Sequence, residues 1–288
     1  MALTDPPVPL SSAPWSTKCE AYWLVTWLPT EALPEGLYDP LEASDPAFTS
    51  PERAGKFKGG LGMIQVVRYS ETPVGAYDEL LIIPGTYVLP GKHKSGKRIT
   101  RIYVSQPNTC YNGRRLWNIP KHLARFNFTS PPTSSNGTPP RTLHVAVNPP
   151  STHPNTGTPF FSATLTPMTL LPSLPFSTAL FPSWGPLDAT LLQPPLPCPT
   201  SSPPLQLNDD LSALALLTGT STWKSLAPQL RQSQARGMWV EMHAPGRDGS
   251  RESEEVKKWW PSAVSPFRIG LWLQDAVLDL PVADEWDE

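Results

Sequence analysis

Asn112-Gly113-Arg114-Arg115-Leu116-Trp117-Asn118-Ile119-Pro120-Lys121-His122-Leu123-Ala124-Arg125-Phe126 is the stretch that decides how this chain reads. It holds a glycine, a Pro-Lys pair and a small residue beyond them, between two apolar strands. Before it, the basic turn His93 to Arg98 opens a strand from Ile99 to Val104; after it, Arg125 to Phe128 reads as another short strand. Pro120 fixes its own φ and biases Ile119 toward extended backbone, which aims Lys121 in one direction. Leu116, Trp117, Ile119, Leu123 and Phe126 are apolar enough to strip water from an amine. A lysine among apolar residues more often lays its stem on the surface and keeps its charge in water. The surrounding pattern and the flanking strands favour a chemical role for Lys121.

Outward from this segment the chain is dominated by strand signals. Tyr22 to Leu28 is β-branched and aromatic and ends at Pro29; Leu61 to Tyr69 and Asp78 to Ile83 follow, the last closed by Pro84-Gly85. Leu143, Val145 and Val147 alternate with polar or small neighbours, as do Phe161, Ala163 and Leu165, and again Met238, Val240 and Met242. Phe267, Ile269, Leu271 and Leu273 give the cleanest alternation, extended past a bend by Val277 to Leu280. About eight to ten short strands separated by turn signals predict an antiparallel sheet that curls into a barrel or sandwich. Helical signals are few: Asp210 to Leu217, and Trp223 to Gln234. Residues 1–14 read as a flexible arm and 15–288 as a single domain. Half of the 38 Pro fall in 131–206, which reads as a long surface insertion between strands. Within it Leu192 to Pro199 has the composition of a polyproline II ligand for a proline-recognition module. Arg247 to Lys258 reads as a solvated loop or helix start.

Composition narrows the classes. The net charge is -2, from 23 basic and 25 acidic residues, so the chain lacks the basic footprint of a nucleic-acid binder. No apolar run approaches the roughly 20 residues of a membrane span, and Met1 to Pro7 carries no secretory signal pattern, so a cytoplasmic protein is expected. Cys19, Cys110 and Cys198 are odd in number and irregular in spacing, which argues against a disulfide framework or a cysteine metal site. The five His show no metal-ligand spacing, and no metal site is expected. No P-loop and no Gly-x-Ser-x-Gly elbow is present.

The segment 98–128, with Pro120-Lys121 at its centre, resembles the signature of the acetoacetate decarboxylase family. Val74-Gly75-Ala76-Tyr77-Asp78-Glu79 resembles that family's Gly-x-Tyr-x-Glu stretch. The resemblance implies a mostly β, α+β domain, a curled antiparallel sheet or β-barrel-like body with few short helices. It implies Lys121 as a Schiff-base nucleophile and Glu79 as an active-site carboxylate. It implies a small or medium keto acid as substrate, no metal or organic cofactor, since the iminium is itself the electron sink, and a homo-oligomer. A free lysine titrates near 10.4, so the amine has to be made neutral by burial or by a neighbouring cation.

Three departures qualify the resemblance. His122 stands where family decarboxylases carry a second Lys, so depression of the Lys121 pKa is expected to rest on burial. The family's other carboxylate falls near Ile64 and Gln65, where no acid stands. The N-terminal Arg that helps hold the substrate carboxylate has only Lys18 in its region, and Lys lacks the bidentate fork of Arg. Lys18, His122 and Arg114 are the expected substrate-binding residues. The same lysine also suits aldol-type condensation and dehydration, and a β-barrel that binds an apolar molecule without catalysis is the rival from another class.

Overall fold

The structure of the chain, a computed structural model, describes residues 5–29, 33–89, 94–130, 142–150, 158–180, 188–199, 214–231, 233–243 and 258–287. The chain begins with β1 (Trp15–Leu28) and three one-turn helices, α1 (Pro40–Ala43), α2 (Pro46–Thr49) and α3 (Pro51–Ala54). Next come β2 (Lys56–Glu71), β3 (Tyr77–Ile83), β4 (Thr86–Val88), β5 (Ser95–Lys97) and β6 (Arg101–Val104). Helix α4 (Pro107–Trp117) leads into β7 (Lys121–Leu123) and β8 (Arg125–Thr129). The remaining strands are β9 (Leu143–Asn148), β10 (Phe161–Pro167), β11 (Leu174–Phe176), β12 (Leu191–Gln193), β13 (Trp223–Leu226), β14 (Gln229–Arg231), β15 (Ser233–His243), β16 (Ile269–Leu280) and β17 (Asp284–Trp286).

Pairing runs β8-β9-β10-β15-β16-β1-β2-β3-β6-β7, antiparallel throughout except for β6 with β7. The two end strands, β7 and β8, are separated by Ala124 alone. The sheet therefore curls until its two ends are halves of one segment, and Ala124 N donates to Val104 O at that seam. A smaller sheet, β2-β4-β5-β12-β13-β17, grows from the first residues of β2. Gly59 marks the fork. Its φ is 66°, and a Cβ there would lie 2.6 Å from the Leu28 carbonyl oxygen, so only glycine fits. The bend expected in the last long strand is a bulge at Asp275, φ 50°, opposite the register shift between Cys19 and Ala21.

Strand alternation divides the interior in two. Tyr22, Leu24, Ile64, Val66, Leu80 and Ile82 face one core inside the curl. Cys19, Ala21, Val67, Tyr69, Tyr77 and Leu81 face a second core, packed under α4 and the small sheet. Both faces of β1, β2 and β3 are thus buried. The architecture is mostly β with few helices, as the sequence predicts.

Four expectations are corrected. Trp223 to Gln234 is not helical: it forms β13, β14 and the start of β15, with Trp223 to Leu226 wholly buried in the small sheet. The segment before Lys121, which is not among the helical signals read from the sequence, is an eleven-residue helix; the Gln106 side chain caps it, Pro107 opens it, and Asn118 in the left-handed region ends it. The N-terminal arm is fastened over residues 9–11: Asn112 Nδ2 donates to Pro9 O, Ser11 N donates to Asn112 Oδ1, and Arg115 Nη2 donates to Ser11 O.

The fourth correction concerns 131–206, whose described residues carry β9 to β12. Residues 191–196 are all buried, so Leu192 to Pro199 is not a free polyproline II ligand. Prolines lack a donor but keep their carbonyl acceptors. Asn118 Nδ2 donates to Gln193 O and Pro194 O, and Arg114 Nη2 donates to Pro197 O. Two polar side chains around Lys121 thereby bind the proline-rich segment into the core. Asp210 to Ala213 and residues 247–257 lie outside the described residues; Leu214 to Leu217 makes a single turn. No described helix is long and apolar enough to cross a membrane.

Candidate active site

Lys121 opens β7, paired with Ile102 of β6, while His122 pairs with Tyr103. Successive strand residues point to opposite faces. Lys121 therefore enters the core under α4, and His122 the core inside the curl. Lys121 is 2% exposed. Its Nζ donates to Glu79 Oε2 at 2.9 Å and to Thr109 Oγ1 at 2.9 Å. It lies 5.1 Å from the centre of the Tyr77 ring, a cation–π contact. Glu79 reaches this point from β3 by the same alternation that turns Tyr77 and Leu81 inward. Its Oε1 accepts from Tyr69 Oη at 3.4 Å. The Tyr69 and Tyr77 rings stack with centroids 4.4 Å apart. The buried Tyr77 hydroxyl lies beside the Lys121 amine and the Thr109 hydroxyl without completing a hydrogen bond of full geometry to either.

The backbone of the lysine is held as firmly as its amine. Asn118, with φ 54°, ends α4 and turns the chain, and Lys121 N donates to Ile119 O at 2.7 Å. The Lys121 carbonyl accepts from Cys110 Sγ at 3.2 Å and Arg114 Nη1 at 3.3 Å. Helix α4 can approach this closely because residue 113 is glycine.

Burial opposes the Lys121 ammonium, but the Glu79 carboxylate and the neighbouring Tyr77 outweigh it, and the pKa is pushed up to about 12. The expected net depression of the Lys121 pKa by burial is therefore reversed by its partners. The resting site is a buried ion pair. Burial also pushes the Tyr77 hydroxyl up to about 12, against the opposing pull of Lys121.

The pair lines a cavity of about 240 Å³. Its walls are chiefly aliphatic and aromatic, from Ala21, Trp23, Met63, Val67, Leu81 and Ile102 among others. Gln65, at the position where an acid is missing, also faces this cavity.

No family model matches the chain. A 69-residue stretch is 33% identical to Protein NEOXANTHIN-DEFICIENT 1 of Oryza sativa subsp. japonica, covering 24% of this chain and 22% of that protein. The chain thus spans about a fifth of the length of the curated relative it matches. Solved structures match over nearly the whole length. An acetoacetate decarboxylase from Legionella pneumophila superposes with a TM-score of 0.52 at 11% identity, covering 99% of this chain and 93% of the other. An acetoacetate decarboxylase-like enzyme from Sphingomonas wittichii RW1 gives 0.54 at 11%, covering 100% and 99%. The enduracididine biosynthesis enzyme MppR, solved with pyruvate, gives 0.52 at 13%, covering 96% and 91%.

This chain has the acetoacetate decarboxylase fold.

Within the acetoacetate decarboxylase fold, three residues expected at the substrate lie elsewhere. Lys18 follows buried Thr17 and precedes buried Cys19 on β1, so alternation points it to solvent, where it pairs with Glu71 at 2.9 Å. It borders a polar surface cleft on the far side of Tyr69 and Tyr77. Arg114 is fully buried and spent on structure: it pairs with Glu42 at 2.8 Å and donates to the carbonyls of Thr218, Pro197 and Lys121. His122 turns away from the cavity, with Nε2 2.8 Å from Glu42 and 3.6 Å from Asp39.

Sequence spacing does not reveal this second polar cluster. Asp39, Glu42 and His122 bring ligand-type atoms within 4.8 Å of one another, all buried. Burial opposes the imidazolium, yet Asp39 and Glu42 raise its pKa. Burial likewise raises Glu42, but His122 and Arg114 outweigh it and hold its carboxyl down at about 2. Asp39 and Glu42 thus face the His122 imidazole from one side, and Glu42 also takes the Arg114 guanidinium. Thr109, Gly113 and Tyr77 are the residues at Lys121 that the sequence reading does not single out for a role. Tyr77 lies inside the quoted Gly-x-Tyr-x-Glu stretch, and Gly113 inside the quoted Pro-Lys segment.

Proposed function

We propose that this protein is a carbon–carbon lyase of decarboxylase type, in which Lys121 forms a Schiff base with the carbonyl carbon of a keto acid. The observation that carries this reading is the buried Lys121–Glu79 pair opening on an apolar cavity, with the Tyr77 hydroxyl beside it. In a dry site an ion pair is costly and the neutral pair becomes accessible. Glu79 takes a proton from the ammonium across the 2.9 Å contact, and the free amine adds to the carbonyl carbon. The proton held by Glu79 then passes to the carbinol oxygen, which leaves as water, and the protonated imine remains. In a β-keto acid this cation draws the electron pair of the bond between the α-carbon and the carboxylate, so that carbon dioxide leaves and that pair becomes the double bond of an enamine. The resulting enamine is protonated at carbon, and water releases the product and restores the amine.

Tyr77 is placed to donate to the carbonyl or carbinol oxygen. The pyruvate bound by the structurally similar enzyme suits a keto acid in a cavity of this fold. No Arg lines the cavity among the described residues, so the departing carboxylate lacks a fixed guanidinium partner. That favours loss of its charge, and it leaves aldol-type condensation or dehydration on the same imine as the second reading.

Borohydride reduction in the presence of keto acids, followed by mass spectrometry, tests the proposal. The expected result is a reduced adduct on Lys121, absent in Lys121→Arg, because Arg stays protonated. An adduct on another lysine, or no adduct with any carbonyl compound, overturns it and leaves a non-catalytic binding protein.

A further inference from the structure

The cavity has a second polar end. Lys97, in β5, is 8% exposed and lines the same space as Lys121. Its Nζ donates to Leu61 O at 2.7 Å and to Thr86 Oγ1 at 3.2 Å. An ammonium carries three protons, so one remains for a further acceptor. Among the described residues Lys97 forms no ion pair. Asp188 also faces the cavity, but its Oδ1 is engaged by the Thr190 N–H and hydroxyl. Burial lowers the Lys97 pKa, only partly countered by Asp188. A buried cation in this condition is costly unless an anion arrives.

The spacing of the two ends follows from β2. Leu61, Met63, Gln65, Val67 and Tyr69 alternate along one face of that strand and line the cavity. Val67 is the register partner of Glu79, whereas the Leu61 carbonyl is held by Lys97. Six residues of strand separate these positions, roughly 20 Å at about 3.3 Å per residue. The intervening surface is aliphatic apart from Gln65. The cavity, of about 240 Å³, is lined along this whole face of β2.

We propose that Lys97 receives a remote carboxylate, so that the substrate is a long, unbranched oxo diacid, with its carbonyl and the carboxylate that leaves at Lys121 and its second, far carboxylate at Lys97. The carbonyl end rests on the Schiff-base reading above; the far carboxylate stands on Lys97 alone.

The test separates the two. Saturated fatty acids of graded length, and their methyl esters, are titrated calorimetrically into the wild-type protein. They carry no ketone, so their binding is independent of imine formation. Affinity should rise with chain length, and a long acid should bind at least about tenfold more tightly than its ester, the size of one charge-assisted hydrogen bond. Lys97→Met should abolish that preference. Equal affinity of the wild type for acid and ester, or no gain with length, overturns the inference whether or not the variant folds. Borohydride trapping with long oxo acids and with pyruvate is run in parallel. Acid preference without any trapping retains the Lys97 site and sinks the Schiff-base reading. Trapping of short keto acids with no effect of length or of Lys97 does the reverse.

Discussion

A Cβ added to Gly113 would lie 2.7 Å from Cδ of Lys121 and 2.8 Å from Cε. Helix α4 and the lysine side chain therefore occupy their present places only because residue 113 has no side chain. Gly113→Ala sets two effects against each other. Alanine improves the helix by about 1 kcal/mol, and overpacking costs about 1–3 kcal/mol. The clashing atoms belong to the far part of a flexible side chain, which can swing aside. Chemical denaturation should find stability within about 2 kcal/mol of wild type by this reckoning. The displaced amine should lose Glu79, and the rate of borohydride trapping should fall at least tenfold. Unchanged trapping would show that the close fit is irrelevant to the chemistry.

The Lys121–Glu79 pair gives a prediction about stability that does not depend on activity. Both groups are nearly inaccessible, with side chains 3% and 5% exposed. Removing one partner leaves a buried charge alone, which costs about 3–5 kcal/mol. Lys121→Met and Glu79→Gln should each fall in that range by urea denaturation. The double variant should lose much less than the sum, since no charge is then buried. Additive losses would mean that the two side chains do not interact as their 2.9 Å separation indicates.

The curled sheet was legible because alternation is local. β9 and β10 show their buried faces in any short window of sequence; β16 shows itself as a strand, but Phe267 and Ile269 of the expected face are exposed while Gly270 and Trp272 are buried, and β3 is buried on both faces. Lys121 was legible because Pro120 and its apolar neighbours are adjacent to it. What the sequence hid was pairing across distance. Glu79 lies 42 residues from Lys121 and Glu42 lies 80 from His122, so neither the charge of the amine nor the destination of the imidazole could be read locally. Some local signals were present and missed. Asp39-Pro40, Asp45-Pro46 and Ser50-Pro51 each place a capping side chain before a proline at the first helical position. Gln106-Pro107 does the same for α4.

The cluster around His122 should appear in the pH dependence of folding. Its pKa is raised above 6.5 because Asp39 and Glu42 outweigh burial. A raised pKa means that the folded state holds the proton more tightly. The stabilisation is complete below about 6.5 and is lost as pH rises through the raised value, where Asp39 and Glu42 are left facing a neutral ring. His122→Gln should flatten this part of the curve, measured by urea denaturation from mildly acidic to mildly alkaline pH. Trapping at Lys121 should respond much less, because His122 faces the other core. A wild-type curve that is flat across this window would show that the imidazole is neutral in the fold.

Leu192 reports on the proline-rich segment. It is wholly buried in the small sheet, beside Gln193, whose carbonyl is held by Asn118. Leu192→Ala should cost about 2–5 kcal/mol, the usual loss for a buried leucine. Deleting 191–196 should abolish soluble expression, since it removes β12 and two of the three carbonyl acceptors of Asn118 together. A deletion that folded normally would return the segment to the role of a surface loop.

Tyr77→Phe tests whether the hydroxyl beside the lysine serves chemistry. A buried hydroxyl without a completed hydrogen bond costs about 1–3 kcal/mol of desolvation, and the Tyr77 ring already packs against Tyr69 without it. Phenylalanine keeps that stacking and the ring face beneath the ammonium. The variant should therefore be as stable as wild type, or more stable by about 1 kcal/mol, in urea denaturation. Its single-turnover rate of imine formation should fall by about a hundredfold, the effect of losing one donor to a developing oxyanion. A structural tyrosine would give the opposite pattern, with lower stability and an unchanged rate. Gain of stability together with loss of rate is the signature of a polar group whose hydrogen bond is completed only when the carbonyl oxygen arrives.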